Sequence, residues 1–84
     1  MSLRLEPVLV ATDSDDEEGQ LVFQGIHLVA ILVQLADVHK DEAGAWFLEA
    51  GFGSVAHPNP PLFADLDEAQ AWIEQQLAGT PAHA

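Results

Sequence analysis

The sequence predicts an α+β fold, in which an antiparallel sheet of three to four strands carries one C-terminal helix on one of its faces. Short apolar segments separated by turn residues occupy the first part of the chain, as in a hairpin-connected sheet. An amphipathic helical pattern with start and stop residues occupies the last part. The 84 residues suffice for one small core, so we expect a single domain over 1–84, with 80–84 as a flexible tail.

The predicted sheet begins with an edge strand over 3–11, because Pro7 cannot donate a hydrogen bond to a ladder. A short strand over 20–24 then leads into the longest apolar segment of the chain, a strand over 27–36. Gly25 begins the two-residue connection between them, and a glycine there supplies the positive φ of a type II′ turn. We therefore expect a hairpin in which the strand over 27–36 is central.

The last predicted strand covers 45–52 and is followed by a proline-rich connection that excludes regular structure. A helix over 66–78 comes next. Asp65 is its N-cap, Glu68 completes a capping box, and Gly79 provides the C-terminal stop. The apolar face of this helix consists of Leu66, Ala69, Trp72, Ile73 and Leu77. We expect that face to pack on the sheet.

Strand alternation gives the central strand two apolar faces, and both require cover. One set of side chains is Leu28, Ala30 and Leu32, and the other is Val29, Ile31, Val33 and Leu35. One helix is about 10 Å across and covers at most one face of a sheet whose strands are about 4.8 Å apart. We therefore expect the other face to form the interface of a two-fold homodimer, sheet against sheet or edge to edge, and we take the second set as the candidate interface residues. The sequence does not decide which set faces the helix.

Acidic residues dominate the charge of the chain. The 14 Asp and Glu residues oppose only Arg4 and Lys40, which gives a formal net charge of −12 and an isoelectric point near 4.1. Such a field repels phosphate backbones and anionic membranes, so we expect neither nucleic acid nor membrane as a partner. A basic protein partner is an alternative that the charge leaves open, beside self-association. Cysteine is absent, which excludes disulfides and thiolate zinc sites. The N-terminal residues lack the pattern of a signal peptide, and we expect a soluble cytoplasmic protein.

A metal site is one candidate feature. Asp13, Asp15 and Glu17 have the spacing of the first three oxygen ligands of an EF-hand loop. Glu18 stands where that loop has its glycine, and Gln24 stands where it has its bidentate glutamate. The histidines show no spacing typical of a zinc site. We therefore expect a solvated acidic loop that binds divalent ions weakly, and no cofactor.

Glu49 is the candidate for catalysis, since it is the one carboxylate in an apolar strand. Burial there suits a carboxyl group to general acid–base chemistry, and His57 is near in sequence. The competing interpretation places Glu49 at a sheet edge or pairs it with Arg4 or Lys40. No nucleophile, oxyanion donor pattern or glycine-rich phosphate loop accompanies it in the sequence. We predict a protein without catalysis.

The stretch 44–77 combines an aromatic strand with a helical pattern, Phe63-x-x-Leu66-x-x-Ala69-x-x-Trp72-Ile73. It resembles the strand-then-helix ending of the small three-strand-plus-helix domains of the AP2 and integrase arm-type group. The resemblance covers under half of the chain and implies a fold of that kind. It does not imply DNA binding, because those domains use a basic sheet face and this chain has only Arg4 and Lys40.

Three functions remain open at this point. The leading hypothesis is a small acidic interaction or accessory protein without catalysis that forms a homodimer. The second is an acidic inhibitor that imitates nucleic acid and occupies the basic groove of a DNA-binding protein or nuclease, which a net charge of −12 permits. The third is a small-ligand-binding domain or enzyme that uses Glu49 in a concave pocket.

Overall fold

The structure is a computed structural model that describes residues 3–11, 18–35 and 44–78. Four antiparallel strands form one sheet in the order β1-β2-β3-β4, and one C-terminal helix follows. The elements are β1 (Arg4–Leu9), β2 (Glu18–Gln24), β3 (His27–Gln34), β4 (Trp46–Gly51), a short 3₁₀ helix (Gly53–Val55) and α1 (Leu66–Ala78). The predicted α+β fold is confirmed, with four strands. The predicted tail over 80–84 lies outside the described residues.

The local signals that predict the hairpin and the edge strand match the structure. Gly25 has a φ of 64° in the turn between β2 and β3, so the positive dihedral falls on the residue without a Cβ. Pro7 lies in β1, which is an edge of the sheet, and pairs with Gln20 of β2. Its missing N–H is tolerated at an edge because no further strand needs it.

Two irregularities interrupt the alternation of the central strand. On the β2 side, Phe23 pairs with Leu28 while Val22 pairs with Ala30, so Val29 is the extra residue of a bulge. The bulge places both Val29 and Ala30 in the core under the helix. Strict alternation, which groups Val29 with the other three residues predicted for the interface, therefore fails at this position.

The second irregularity lies on the β4 side of the same strand. Ile31 pairs with Ala50 and Leu32 pairs with Leu48, so Glu49 is the extra residue. Just beyond it, the chain turns sharply into the 3₁₀ helix. A Cβ on Gly51 would lie 2.6 Å from the carbonyl oxygen of Val55, which is closer than real contacts permit. A glycine is required there because two backbone segments approach each other.

The core lies between one face of the sheet and α1. In it, buried side chains of the strands pack against those of the 3₁₀ helix, of α1 and of the segment that connects these two helices. Its main members are Val22, Val29, Ala30, Leu32, Trp46, Leu48, Val55, Phe63, Ala69 and Ile73. We call this side of the sheet the inner face. Trp72, predicted as a core residue, packs against the edge of this cluster, with its ring 5.5 Å from that of Phe63.

The start of α1 confirms the predicted N-cap. The backbone N–H of Glu68 donates to Oδ1 of Asp65 at 2.8 Å, and Oε1 of Glu68 accepts from the N–H of Ala64 at 3.0 Å. The reciprocal bond thus reaches one residue before the cap, which is a small departure from the usual box. Asp67 also lies in the first turn, where a carboxylate is stabilised by the helix dipole. Gly79, the predicted stop, lies outside the described residues.

Candidate functional site

The second face of the sheet carries a continuous set of apolar side chains. Residues that pair across strands lie on the same face, and the pairs here are Leu21 with Ile31, Phe23 with Leu28, and Val33 with Phe47. They alternate with inner-face residues such as Val22 and Leu32. We call this surface the outer face, defined by Leu21, Phe23, Leu28, Ile31, Val33 and Phe47.

The outer face is partly exposed to solvent. Val33 is fully buried, whereas Leu21, Phe23, Leu28, Ile31 and Phe47 are all intermediate in exposure. The buried residues of α1 and of the 3₁₀ helix belong to the inner-face core. Within residues 3–11, 18–35 and 44–78, no helix therefore covers the outer face. Of the predicted interface residues, Ile31, Val33 and Leu35 keep the side opposite the helix by alternation, and the bulge removes Val29 to the inner face.

Charged residues lie at one margin of the outer face. Arg4 of β1 pairs across the ladder with Phe23, and its guanidinium carbon lies 4.4 Å from the centroid of the Phe23 ring. Arg4 also forms an ion pair with Glu6, and both side chains are about half exposed. An apolar centre with a polar rim is the usual composition of a protein–protein interface.

Both edges of the sheet carry features that oppose the addition of a further strand. Pro7 interrupts the hydrogen-bonding groups of β1. On β4, the N–H of Trp46 donates to the carbonyl of Phe63, and the N–H of Phe63 donates to the carbonyl of Trp46, both at 2.8 Å. The bulge at Glu49 disturbs the rest of that edge. The geometry therefore favours contact through the outer face over edge-to-edge pairing.

The structure places Glu49 on the exposed side of an edge strand. His57 is also exposed, and its described contacts are with Asn59 and Trp72, not with Glu49. Its Nδ1 accepts a hydrogen bond from the N–H of Asn59 at 3.1 Å, and its ring meets that of Trp72 edge-on at 5.8 Å. No described contact joins Glu49 to His57, so the geometry gives no support to these two residues as a candidate acid–base pair.

The candidate metal ligands Asp13, Asp15 and Glu17 lie outside the described residues. Among the residues that the structure describes, no group of three or more histidine or carboxylate side chains is placed to hold a metal ion. None of the described helices is long and apolar enough to cross a membrane.

A cleft lies over the ends of β1 and β2. The register assigns it to the helix side of the sheet, because Pro7 pairs with Gln20 and Gln20 pairs with the core residue Leu32. It has a volume of about 420 Å³, and its lining includes Pro7, Leu9, Glu18, Gln20 and Trp46. The C-terminal end of α1 lies near Leu3 and Gln24, at the opposite end of these strands, and leaves this corner open. Sequence reasoning missed the cleft, although a helix of 13 residues, about 20 Å long, is too short to cover every strand end.

Family models, curated proteins and solved structures were each compared with the chain, and none of them matches it. The geometry described above is therefore the basis on which a function can be assigned.

Proposed function

We propose that this protein is a small acidic interaction module without catalysis, which acts in the cytoplasm as a homodimer joined through its outer faces. The observation that supports this proposal is the outer face itself. Five of its six apolar side chains are partly exposed, and among the described residues all helices pack on the other side of the sheet. Contiguous apolar surfaces of this kind are rare on monomers and common at interfaces.

The size of the outer face suits a two-fold interface. Four strands spaced about 4.8 Å apart, with six to eight residues of about 3.4 Å each, give a flat area of roughly 450 Å² for each protomer. Two such areas total roughly 900 Å² before the relief of the side chains is counted, close to the ~1,000 Å² that a specific interface requires. In a two-fold dimer the same patch occurs on both partners, so an apolar centre meets an apolar centre. The sheets would then pack about 10 Å apart, as in a β-sandwich.

The negative charge of the chain determines how association of such a dimer depends on salt. Two protomers of formal charge −12 repel each other at long range, whereas burial of the outer faces attracts them at contact. Salt screens the repulsion over a Debye length of about 10 Å at 0.1 M, and does not weaken apolar contact. Association should therefore strengthen as salt is added, whereas association driven by opposite charges would weaken.

Sedimentation equilibrium of the full chain, at micromolar and then at near-millimolar concentration, tests the proposal. We expect a species of about 18 kDa, twice the 9.0 kDa of one chain, with a larger dimer fraction at higher salt. Ile31→Lys places a charge at the centre of the outer face and should leave the 9.0 kDa monomer. Gln75→Lys, on the exposed side of α1, adds the same charge elsewhere and should preserve the dimer.

Circular dichroism of each variant checks that the sheet and α1 remain folded. Should Ile31→Lys unfold, Phe47→Lys on the edge strand provides the same test at a more tolerant position. A wild-type chain that stays at 9.0 kDa at the higher concentration contradicts the homodimer. A dimer that survives both lysine substitutions contradicts the outer face as its interface.

A further inference from the structure

The cleft over the ends of β1 and β2 has apolar walls. Pro7 and Leu9 line it from alternate positions of β1, and Trp46 lines it from β4. A volume of about 420 Å³ falls within the range of sites that hold a small molecule or a few side chains. The cleft therefore has the size and the lining of a binding site.

Leu9 is the unusual member of this lining. Its side chain is 75 % exposed, although it lies beside a cleft whose wall, Trp46, is only 8 % exposed. An exposed leucine at the mouth of an apolar cleft gains contact when an apolar group enters. The cleft lies beside the edge strand β1, so a side chain presented by another protein can reach it from the rim of the sheet.

The charge around the cleft is negative. Glu18 is the one ionisable residue in the described lining, and it is exposed. Arg4, the basic residue among those described, is already paired with Glu6 and lies at the other end of β1. The formal charge of −12 adds a long-range field that concentrates cations and repels acidic chains.

We propose that this cleft is a docking site for an apolar side chain presented by a lysine- or arginine-rich segment of a partner protein. The apolar side chain fills the space between Leu9 and Trp46, and the neighbouring basic residues face Glu18. The cleft is on the helix side of the sheet, opposite the outer face, so docking does not depend on the proposed homodimer.

Peptide titration of the full chain tests this site. Trp72→Phe leaves Trp46 as the single tryptophan, so that its fluorescence reports on the cleft. The probe is a short capped peptide with paired leucines at its centre and paired lysines on each side. We expect a saturable change in Trp46 emission. Replacing the leucines by alanine, or the lysines by glutamate, should weaken binding about tenfold or more, since each removes one of the two forms of complementarity.

Matched variants locate the binding. Leu9→Ser should weaken the leucine–lysine peptide about tenfold, whereas Leu62→Ser, at another exposed leucine that lies outside the described lining, should leave binding unchanged. Glu18→Gln should weaken binding about threefold and reduce its salt dependence, with Glu74→Gln on α1 as the control of equal charge. If Trp72→Phe fails to fold, amide NMR of the wild-type chain follows Leu9 and Gln20 instead.

Several outcomes would overturn the proposal. Equal binding of the alanine–lysine peptide means attraction by charge without a site for an apolar side chain. Equal binding of the leucine–glutamate peptide means a cleft for apolar groups without preference for basic partners. Absence of any response means no docking site. Repeating the titration on Ile31→Lys separates the two proposals, because peptide binding should persist whether or not the chain dimerises.

Discussion

The inner and outer faces of the sheet are built from the same strands and from similar residues, yet they end in different environments. On the inner face Val22, Ala30 and Leu32 have no exposed surface. On the outer face Leu21 and Ile31, which are equally apolar, are partly exposed. Hydrophobicity alone does not distinguish the two faces. The difference is whether a helix of the described chain packs on them, and this makes the outer face the better candidate for contact with another molecule.

Adjacent residues of β3 give the sharpest test of this difference. Leu32→Ala removes a fully buried inner-face side chain and should lower the free energy of unfolding by about 2–5 kcal/mol, at any protein concentration. Ile31→Ala, on the outer face, should cost clearly less in dilute solution, and its cost should grow with concentration as the dimer forms. Urea denaturation followed by circular dichroism measures both. Equal losses that do not vary with concentration would remove the proposed distinction between the faces.

Substitutions at Gly51 test whether the close approach of β4 to the 3₁₀ helix contributes to the cover of the inner face. Gly51→Ala places a Cβ 2.6 Å from the carbonyl oxygen of Val55, so either the strand or the 3₁₀ helix must move, at about 1–3 kcal/mol. Gly25→Ala has no atom within 4 Å of its new Cβ but keeps a φ of 64°, and isolates backbone strain of about 1–2 kcal/mol. Thermal unfolding compares the two variants. A Gly51→Ala chain as stable as wild type would contradict the steric account.

The N-cap of α1 tests how firmly the helix is held on the inner face. Asp65→Ala deletes the acceptor of the Glu68 N–H and should cost about 1 kcal/mol of unfolding free energy. Asp65→Asn retains a side-chain oxygen and should cost only a few tenths of that, about 0.3 kcal/mol. Chemical denaturation resolves the difference. Equal losses for Ala and Asn would show that charge, rather than the hydrogen bond, is what Asp65 contributes.

The smallest expected effect lies at the polar margin of the outer face. The contact of Arg4 with the Phe23 ring should contribute about 0.5–1 kcal/mol, since both groups remain accessible to water. A double-mutant cycle of Arg4→Met and Phe23→Leu measures it as a coupling energy. Glu6→Gln alone should have little effect, because an exposed ion pair contributes about 0–1 kcal/mol. A coupling energy of zero would mean that the contact between Arg4 and the Phe23 ring does not stabilise the fold.

Local patterns were sufficient to predict most of the fold. Gly25 and Pro7 encode a turn and an edge within a few residues, and Asp65 with Glu68 encodes a helix start. The bulges were not predictable in this way. The extra residue at Glu49 precedes the packing of Gly51 on Val55, and that contact exists only once β4 and the 3₁₀ helix are folded together. For the same reason, Val29 could not be assigned to the inner face from alternation.

Of the two candidate surfaces, the outer face was predictable from the sequence and the cleft was not. The apolar character of both faces of β3 is visible in the sequence, so a count of the predicted helices already assigned a helix to only one of them, as the described residues show. The cleft beside Leu9 depends on the path that α1 takes across the sheet, and no residue in β1 specifies that path. The solvated acidic loop expected around Asp13, Asp15 and Glu17 stays a prediction, because these residues lie outside the described parts of the chain.

The paired hydrogen bonds between Trp46 and Phe63 have a consequence for the extent of any assembly. A sheet that grows through its edges has no natural end, because each added strand presents a new edge to the next molecule. With Phe63 bound along one edge and Pro7 in the other, that route is obstructed at both sides. In the proposed dimer, by contrast, one partner occupies the single outer face of each protomer, so assembly would end at two copies. An exposed apolar sheet would then be compatible with protection against fibre formation.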